Sequence, residues 1–123
     1  MKKILLLILL LLLCGCQKSS INYSELYKKM NSYDSYTLAL CNNDCENIEK
    51  ITQKNKINIY YMDVNKLNEN EKIVIETQFF GGGYLDTPSI VIIEKGVLKN
   101  RLSNNLTDEK IYEFFKSNRK VEE

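Results

Sequence analysis

The sequence predicts an α/β domain built on a four-stranded mixed sheet flanked by helices. Three observations lead to this prediction. Apolar residues recur at helical spacing in some segments and form short β-branched runs in others, and the two kinds of segment alternate along the chain. Residues 65–80 are long enough for the helical crossover that a pair of parallel strands needs. Residues 89–94 and 97–102 flank Lys95-Gly96, which is typical of an antiparallel hairpin.

The first predicted helix covers residues 21–33, where apolar side chains recur on one helical face. Asn22 and Glu25 have the spacing of a capping box, in which each side chain accepts a hydrogen bond from the backbone N–H of the other residue. Ile21 is positioned to pack onto Leu26 across that cap. An amphipathic helix is therefore expected to begin here.

A strand and a second helix are predicted around the two central cysteines. Residues 36–40 are short, apolar and β-prone, and they lead directly into residues 41–45. Asn43 or Asp44 has a suitable side chain for the N-cap of the helix that follows, which is predicted to run to about Lys54. The expected order is strand, cysteine turn, helix.

The middle of the chain contains one clear strand and one ambiguous segment. Residues 57–63 predict a second strand with a polar ending. Within residues 65–80, Ile73 and Ile75 belong to an alternation typical of a strand, whereas Val74 fits a helical face. We predict a helix, because a crossover between parallel strands is required at this point of the chain.

The last third of the chain is predicted to contain a loop, the hairpin and a final helix. Three glycines at residues 81–83 break the preceding element, and the single proline, Pro88, follows shortly afterwards. The final helix is expected to begin after Thr107, which serves as N-cap, with Ile111 and Phe115 on its inner face.

The N-terminal residues have the pattern of an export signal. Lys2 and Lys3 precede an unbroken apolar stretch at residues 4–13, which is too short to span a bilayer comfortably, since a spanning helix needs about 20 residues. Residues 13–16, Leu-Cys-Gly-Cys, look like a bacterial lipobox, which predicts that Cys16 becomes the lipidated N-terminus. An uncleaved anchor or ordinary secretion would be the alternatives.

These features divide the chain into four parts. Residues 1–15 are predicted to be a lipoprotein signal peptide that is removed, and residues 16–20 a lipidated polar tether. Residues 21–118 form the folded domain, and residues 119–123 a charged tail. The mature protein is expected at the extracytoplasmic face of the cell membrane, held by the two acyl chains of a diacylglycerol on Cys16, since a single chain gives marginal anchoring.

Charge and composition exclude several function classes. Loss of Lys2 and Lys3 reduces the 17 basic residues to 15, against 16 acidic ones, so the mature chain has a net charge of −1. This balance indicates no basic face for nucleic acid, and we predict no nucleic-acid partner. The chain contains no histidine, which excludes Ser-His and Cys-His hydrolases.

Cys41 and Cys45 are the thiols that remain in the mature domain once Cys16 is acylated. They stand where the predicted strand gives way to the predicted helix. A thiolate at a helix N-terminus faces unpaired N–H groups and the positive end of the helix dipole, which lower the thiol pKa. Residues four apart share a helical face, so the pair can form a disulfide, whose Cα atoms lie about 4.4–6.8 Å apart.

The order of elements, the cysteine pair at the strand-to-helix junction and Thr87-Pro88 before a hairpin strand resemble the thioredoxin-like fold. The resemblance is to the small thioredoxin-like and bacteriocin transport accessory proteins, and it covers residues 21–118. It implies that Pro88 is a cis proline beside the cysteines and that Thr87 offers backbone hydrogen bonds to an extended substrate. Tyr84 is predicted to lie near the rim of this site.

The chain departs from the family pattern in the immediate surroundings of the cysteines. Three residues separate the cysteines where the family usually has two, and Leu40 stands where an aromatic residue usually precedes the first cysteine. The preceding strand has no carboxylate to accept a proton. Asp44 adds a negative charge near the thiols, which opposes thiolate formation.

The resemblance implies thiol–disulfide exchange, in which Cys41 attacks and Cys45 resolves the mixed disulfide. The expected partners are protein or peptide thiols and disulfides, together with the membrane through Cys16. The protein is expected to be a monomer, with no cofactor and no metal site. One alternative is a structural disulfide in a non-catalytic accessory lipoprotein that binds an exported peptide or transporter, and another is metal binding by the two thiols.

Overall fold

A five-stranded mixed sheet with strand order β1-β3-β2-β4-β5 lies at the centre of the domain in the computed structural model, which describes residues 19–118 and residue 120. Four helices pack on this sheet. In chain order the elements are β1 (Ser19–Ser20), α1 (Tyr23–Met30), β2 (Tyr36–Cys41), α2 (Glu46–Lys54), β3 (Tyr60–Asp63), a 3-10 turn (Val64–Lys66), α3 (Glu69–Phe79), β4 (Ser89–Glu94), β5 (Val97–Ser103) and α4 (Asp108–Ser117).

Several sequence predictions lie outside the described residues. These are the signal peptide at residues 1–15, the lipidation of Cys16 and all but one residue of the tail at 119–123. Among the helices at residues 19–118, none is both long enough and apolar enough to cross a bilayer.

The sheet has one strand more than the four that the sequence predicted. Ser19 and Ser20, which we assigned to the tether, form β1 and pair in parallel with Tyr60 and Tyr61 of β3. The backbone N–H of Ile21 then donates to the Tyr61 carbonyl at 3.0 Å. Two serines carry no apolar pattern, so this strand is specified by backbone pairing with β3 and could not be recognised from side chains.

Strand directions explain which helices are crossovers. β2 and β3 are parallel neighbours joined by α2, whereas β2 and β4 are antiparallel. The predicted helix after β3 is confirmed as α3, but the reason given for it was wrong. α3 joins β3 to β4, which run in opposite directions with β2 between them, so it is not a parallel crossover.

Helix caps follow local hydrogen-bond chemistry. The capping box of Asn22 and Glu25 is present and starts α1. α3 starts at a second capping box, formed by Asn68 and Glu71. We did not predict this cap, because the segment that follows also has a strand-like alternation. At α4, the Thr107 side chain accepts from the Lys110 N–H at 3.2 Å, as predicted.

Side chains of the central strands alternate between two cores, one on each face of the sheet. Leu38 and Leu40 point to the face covered by α1 and α3, where Leu26, Ile75 and Phe79 are buried. The opposite face is covered by α2 and α4, and its buried residues include Ala39, Cys45, Ile48, Ile90, Ile92, Ile111, Phe114 and Phe115. The cysteine turn therefore belongs to the second core.

Gly96→Ala is expected to destabilise the fold by about 1–3 kcal/mol, because Gly96 combines a left-handed backbone with a close neighbour. Its φ is +79°, and an added Cβ would lie 2.8 Å from the Ser32 carbonyl oxygen. Gly81→Ala is the control, since its φ of +60° is also left-handed but nothing lies within 4 Å. Urea unfolding of both variants measures the difference, and equal losses would contradict the steric argument.

Candidate functional site

Cys41 and Cys45 form a disulfide at the junction between β2 and α2, with their Cα atoms 5.6 Å apart. Cys41 is the last residue of β2, and Cys45 is the N-cap of α2. The predicted pairing of these two cysteines is therefore present. The three residues between them close a short turn that connects strand to helix.

The turn between the cysteines has its own hydrogen bonds. The Asp44 carboxylate accepts from the Asn42 N–H at 2.7 Å, and the Asn42 side chain accepts from Asn65 Nδ2 at 2.6 Å. Asn43 has a left-handed backbone with φ of 56°. Because Asp44 is engaged by Asn42 and Asn43 turns the chain, neither caps α2, and our N-cap prediction was wrong. The helix begins at Glu46 after a cap without a side-chain hydrogen bond.

The two cysteines have unequal exposure. Cys41 is partly exposed, whereas Cys45 is 4% exposed and packs within the core that contains Ile48. The Sγ atom of Cys45 lies 3.8 Å from the Leu40 carbonyl oxygen. A solvent-borne partner can therefore approach the first cysteine and not the second.

Pro88 lies at the same end of the sheet as the disulfide, and the Thr87–Pro88 peptide bond is cis. β2 and β4 are antiparallel, with Leu40 paired to Ser89, so the next residues outward are Cys41 and Pro88. The Ser89 hydroxyl donates to the Asp86 carbonyl at 2.6 Å and holds the loop that leads to the proline. The cis bond inferred from the family resemblance is thus present.

Thr87 and Pro88 are partly exposed, as a surface that receives a partner chain requires. Tyr84 is 91% exposed and lies in the loop before them, so its ring is free of the core. That the first two contact a substrate and that Tyr84 lies at the rim of the site stay predictions.

A cleft of about 830 Å³ is lined by residues of β1 and β3, which lie on one side of β2, whereas β4 and Pro88 lie on the other side. One wall contains the two cysteines, and the others come from the start of α1, the end of β3 and the start of α3. The residues lining the cleft include Ser20, Asn22, Tyr23, Glu25, Cys41, Cys45, Glu46, Glu49, Tyr61, Asp63, Lys66 and Glu71. Sequence reasoning missed this cleft, because the β1-β3-β2 order brings together residues remote in the chain.

The charged side chains of the cleft are mostly acidic. Among the described residues that line it, five carry carboxylates and one, Lys66, carries an ammonium group. Asp63 is the register partner of Cys41, so the two side chains lie on the same face of the sheet. The sequence contained a signal for this neighbour of Cys41. Asp63 is the polar last residue of a predicted strand, and adjacent parallel strands end at the same edge of a sheet.

Tyr61 lines the cleft without adding charge to it. Burial raises the pKa of its hydroxyl and outweighs the opposing effect of the hydrogen bond with the Thr52 hydroxyl, at 2.6 Å. The nearby Glu49 carboxylate raises the pKa further. The ring is therefore neutral throughout the physiological range of pH.

The arrangement as a whole is that of a thioredoxin fold with a disulfide at the end of its second strand. It is similar to thioredoxin f2 from Chlamydomonas reinhardtii, with a TM-score of 0.60 and 8% identity over 86% of this chain and 100% of that chain. Thioredoxin from Fasciola hepatica gives a TM-score of 0.56 with 15% identity over 80% and 97%.

A third similar structure is that of a complex between ferredoxin:thioredoxin reductase and thioredoxin f2, with a TM-score of 0.59 and 10% identity over 85% of this chain and 96% of that chain. No protein-family model and no curated protein matches the chain. At these identities the likeness establishes the fold.

Asp44→Asn is expected to make the reduced protein react about two- to threefold faster with iodoacetamide at neutral pH, because it removes a negative charge beside the Cys41 thiolate. The asparagine keeps an oxygen that can accept from the Asn42 N–H, so the turn is preserved. Glu113→Gln makes the same charge change on an exposed position of α4 and is the control. Equal rates in the two variants would contradict the effect.

Proposed function

We propose that the protein is a membrane-anchored, extracytoplasmic thiol:disulfide oxidoreductase that acts by exchange at Cys41 and Cys45. The observation that carries the proposal is the unequal exposure of a disulfide at the β2–α2 junction, at the same end of the sheet as Pro88. Exchange requires one sulfur that a partner can reach and a second sulfur close enough to displace the partner from the first.

The proposed reaction proceeds in two displacements. The Cys41 thiolate attacks a substrate disulfide, forms a Cys41–substrate mixed disulfide and releases one substrate sulfur as a thiolate that takes up a proton. The Cys45 thiolate then attacks the Cys41 sulfur, closes the protein disulfide and releases the second substrate thiol. The substrate is reduced and the protein is oxidised by two electrons, and the reverse sequence oxidises a substrate dithiol.

Two features support binding of an extended protein or peptide segment. Thr87 and Pro88 are partly exposed at the end of the sheet that carries the cysteine turn, and the cleft supplies a second surface that reaches the disulfide. A thioredoxin of similar fold is known in complex with ferredoxin:thioredoxin reductase. The proposed partners are therefore protein thiols and disulfides, bound by a monomer.

Anchoring through Cys16 is proposed from the lipobox-like sequence at residues 13–16. Cells expressing the full chain and grown with labelled palmitate are expected to incorporate the label into the protein. Cys16→Ala should remove the label and release the protein from the membrane fraction, whereas Cys14→Ala should still carry the label. Labelling that survives Cys16→Ala would overturn this assignment.

The redox proposal is tested by equilibrating the native protein with reduced and oxidised dithiothreitol without denaturant. We expect a reversible couple and catalysis of insulin reduction. Reduction that requires denaturant would support the second candidate, an accessory lipoprotein in which the disulfide is structural. The burial of Cys45 within the core is the observation that favours this second candidate.

A further inference from the structure

The two ends of the domain differ in charge because three helices run in the same direction. α1 and α2 each begin near the carboxyl ends of the parallel strands and return to the opposite end, where β2 and β3 start. α4 begins after Ser103, which pairs with Ser89 at the disulfide end. It ends with Asn118 against Asn100 of β5, farther from that end.

Each of these helices has acidic residues in its first turn and lysine in its last. Glu25, Glu46 and Asp108 therefore lie toward the disulfide, and lysines collect at the opposite end. We call this opposite end the basic end and define it by Lys28, Lys29, Lys54, Lys56 and Lys95. Lys95 belongs to it because the β4–β5 turn meets the end of α1, where the Gly96 N–H donates to the Asp34 carbonyl.

Most of the lysines at the basic end are available to a partner. Lys28, Lys54 and Lys56 are exposed, and within residues 19–118 none of them forms an ion pair. Lys29 is partly exposed, and its Nζ lies 4.8 Å from the centroid of the Tyr60 ring. Among the described residues, Asp34 and Glu94 bring carboxylates to this side, and Lys99 already pairs with Glu94 at 2.9 Å.

Two exposed aromatic rings accompany these lysines. Tyr27 in α1 is 52% exposed, and Tyr33 between α1 and β2 is 82% exposed. The Tyr33 Cα lies next to the β4–β5 turn, within about 4 Å of the position that a Gly96 Cβ would occupy. Tyrosine and lysine together are the side chains that favour the interface between a membrane and water.

The chain also reaches the sheet from this side. β1 runs parallel to β3, so it points from the basic end toward the disulfide end. Cys16 precedes Ser19 by three residues, a span that cannot exceed about 11 Å. A lipid on Cys16 would therefore hold the basic end close to the bilayer.

We infer that the basic end binds the anionic headgroups of a bilayer, so that the Cys41–Cys45 disulfide and its acidic cleft face away from the membrane. This inference rests on the proposed anchoring of the chain and is independent of redox activity. Each lysine near an anionic surface strengthens its binding about fivefold at physiological salt. The disulfide end, which carries Glu25, Glu46 and Asp108, is repelled by the same anionic surface, and this repulsion reinforces the orientation.

The experiment uses the absence of tryptophan from the sequence, which allows a single tryptophan to report position. Protein with Tyr33→Trp or Glu109→Trp is purified from the membranes of cells that express the full chain, so that processing and lipidation can occur. It is then reconstituted in vesicles of phosphatidylcholine that contain roughly 30% phosphatidylglycerol and a brominated lipid quencher. Tyr33 is at the basic end, and Glu109 is exposed in the first turn of α4. We expect at least about threefold stronger quenching at position 33 than at position 109.

The electrostatic part has its own controls. Lys54→Gln with Lys56→Gln is expected to reduce the quenching at position 33 by at least about half, as is salt near 1 M, where the Debye length falls to about 3 Å. Lys72→Gln with Lys110→Gln removes the same charge from the starts of α3 and α4, at the disulfide end, and should leave the quenching unchanged. Phosphatidylcholine vesicles should give weaker quenching at position 33.

Equal quenching at the two positions, or quenching that both lysine pairs change equally, would overturn the inference. Sedimentation of the chain with the vesicles tests the anchoring separately from the orientation. A chain that sediments with no difference between positions overturns the orientation alone, and a chain that does not sediment overturns both. Insulin reduction by the same samples reports the proposed redox function independently.

Discussion

The Cys41→Ser substitution is expected to lower thiol–disulfide exchange by at least about a hundredfold, because it removes the sulfur that a substrate can reach. Cys45 is 4% exposed, so it cannot replace Cys41 as the attacking group. The hydroxyl of serine is a far weaker nucleophile near neutral pH and forms no mixed disulfide. Insulin turbidity with dithiothreitol as donor gives the rate.

Cys45→Ser is the matched variant, since it loses the same disulfide and keeps the reachable sulfur. It is expected to form a stable mixed disulfide with a protein substrate, because the displacing thiol is absent. Both variants lose about 2 kcal/mol of unfolding free energy from opening so short a loop, so stability does not distinguish them. Mass spectrometry, after free thiols are alkylated, detects the mixed disulfide between the variant and the substrate protein. Trapping by Cys41→Ser instead of Cys45→Ser would reverse the assigned roles.

Phe115→Ala is expected to destabilise the domain by about 3–5 kcal/mol. Phe115 has no exposed surface and lies in the core between the sheet, α2 and α4, with its ring 6.0 Å from that of Phe114 in an edge-to-face arrangement. Truncation leaves a cavity in the buried cluster that also contains Ile48 of α2 and Ile90 of β4. Neither the helix nor the strand can move to fill the cavity without disturbing the sheet. Domains of this size have about 5–15 kcal/mol to lose, so the effect is a large fraction of total stability.

Tyr112→Ala on the same helix is the control, since the Tyr112 side chain is 36% exposed. Its loss should be less than about 1 kcal/mol. Urea unfolding at 25 °C with an unchanged slope gives both values, and a loss below about 2 kcal/mol for Phe115→Ala would mean that the core closes around the gap.

N-cap residues in the sequence predicted the start of a helix correctly where the side chain bonds to the backbone of the first helical turn. Asn22 with Glu25 and Thr107 with Lys110 cap as expected, because an N-cap depends on residues within one turn. The predicted N-cap of α2 was wrong, because here the outcome depended on the folded loop and not on local sequence alone. Asp44 satisfies the Asn42 N–H in a turn shaped by the disulfide, and this competing partner is a property of the folded loop.

Net charge was a poor guide to the surface. A chain with nearly equal numbers of acidic and basic residues indicated no basic face, yet the folded domain has an acidic end and a basic end. Composition sums over all directions, whereas the common direction of α1, α2 and α4 sorts the charges in space. The separation became visible once strand order and helix direction were known.

The sequence by itself determined the alternation of helices and strands, the apolar faces and that Cys41 and Cys45 lie within disulfide reach, because each depends on residues close together in the chain. The tertiary structure alone decided that Ser19 and Ser20 join the sheet, that Cys45 is buried behind Cys41 and that a cleft opens beside them. These depend on contacts between distant segments, whose register is set by backbone pairing and packing that no local pattern records.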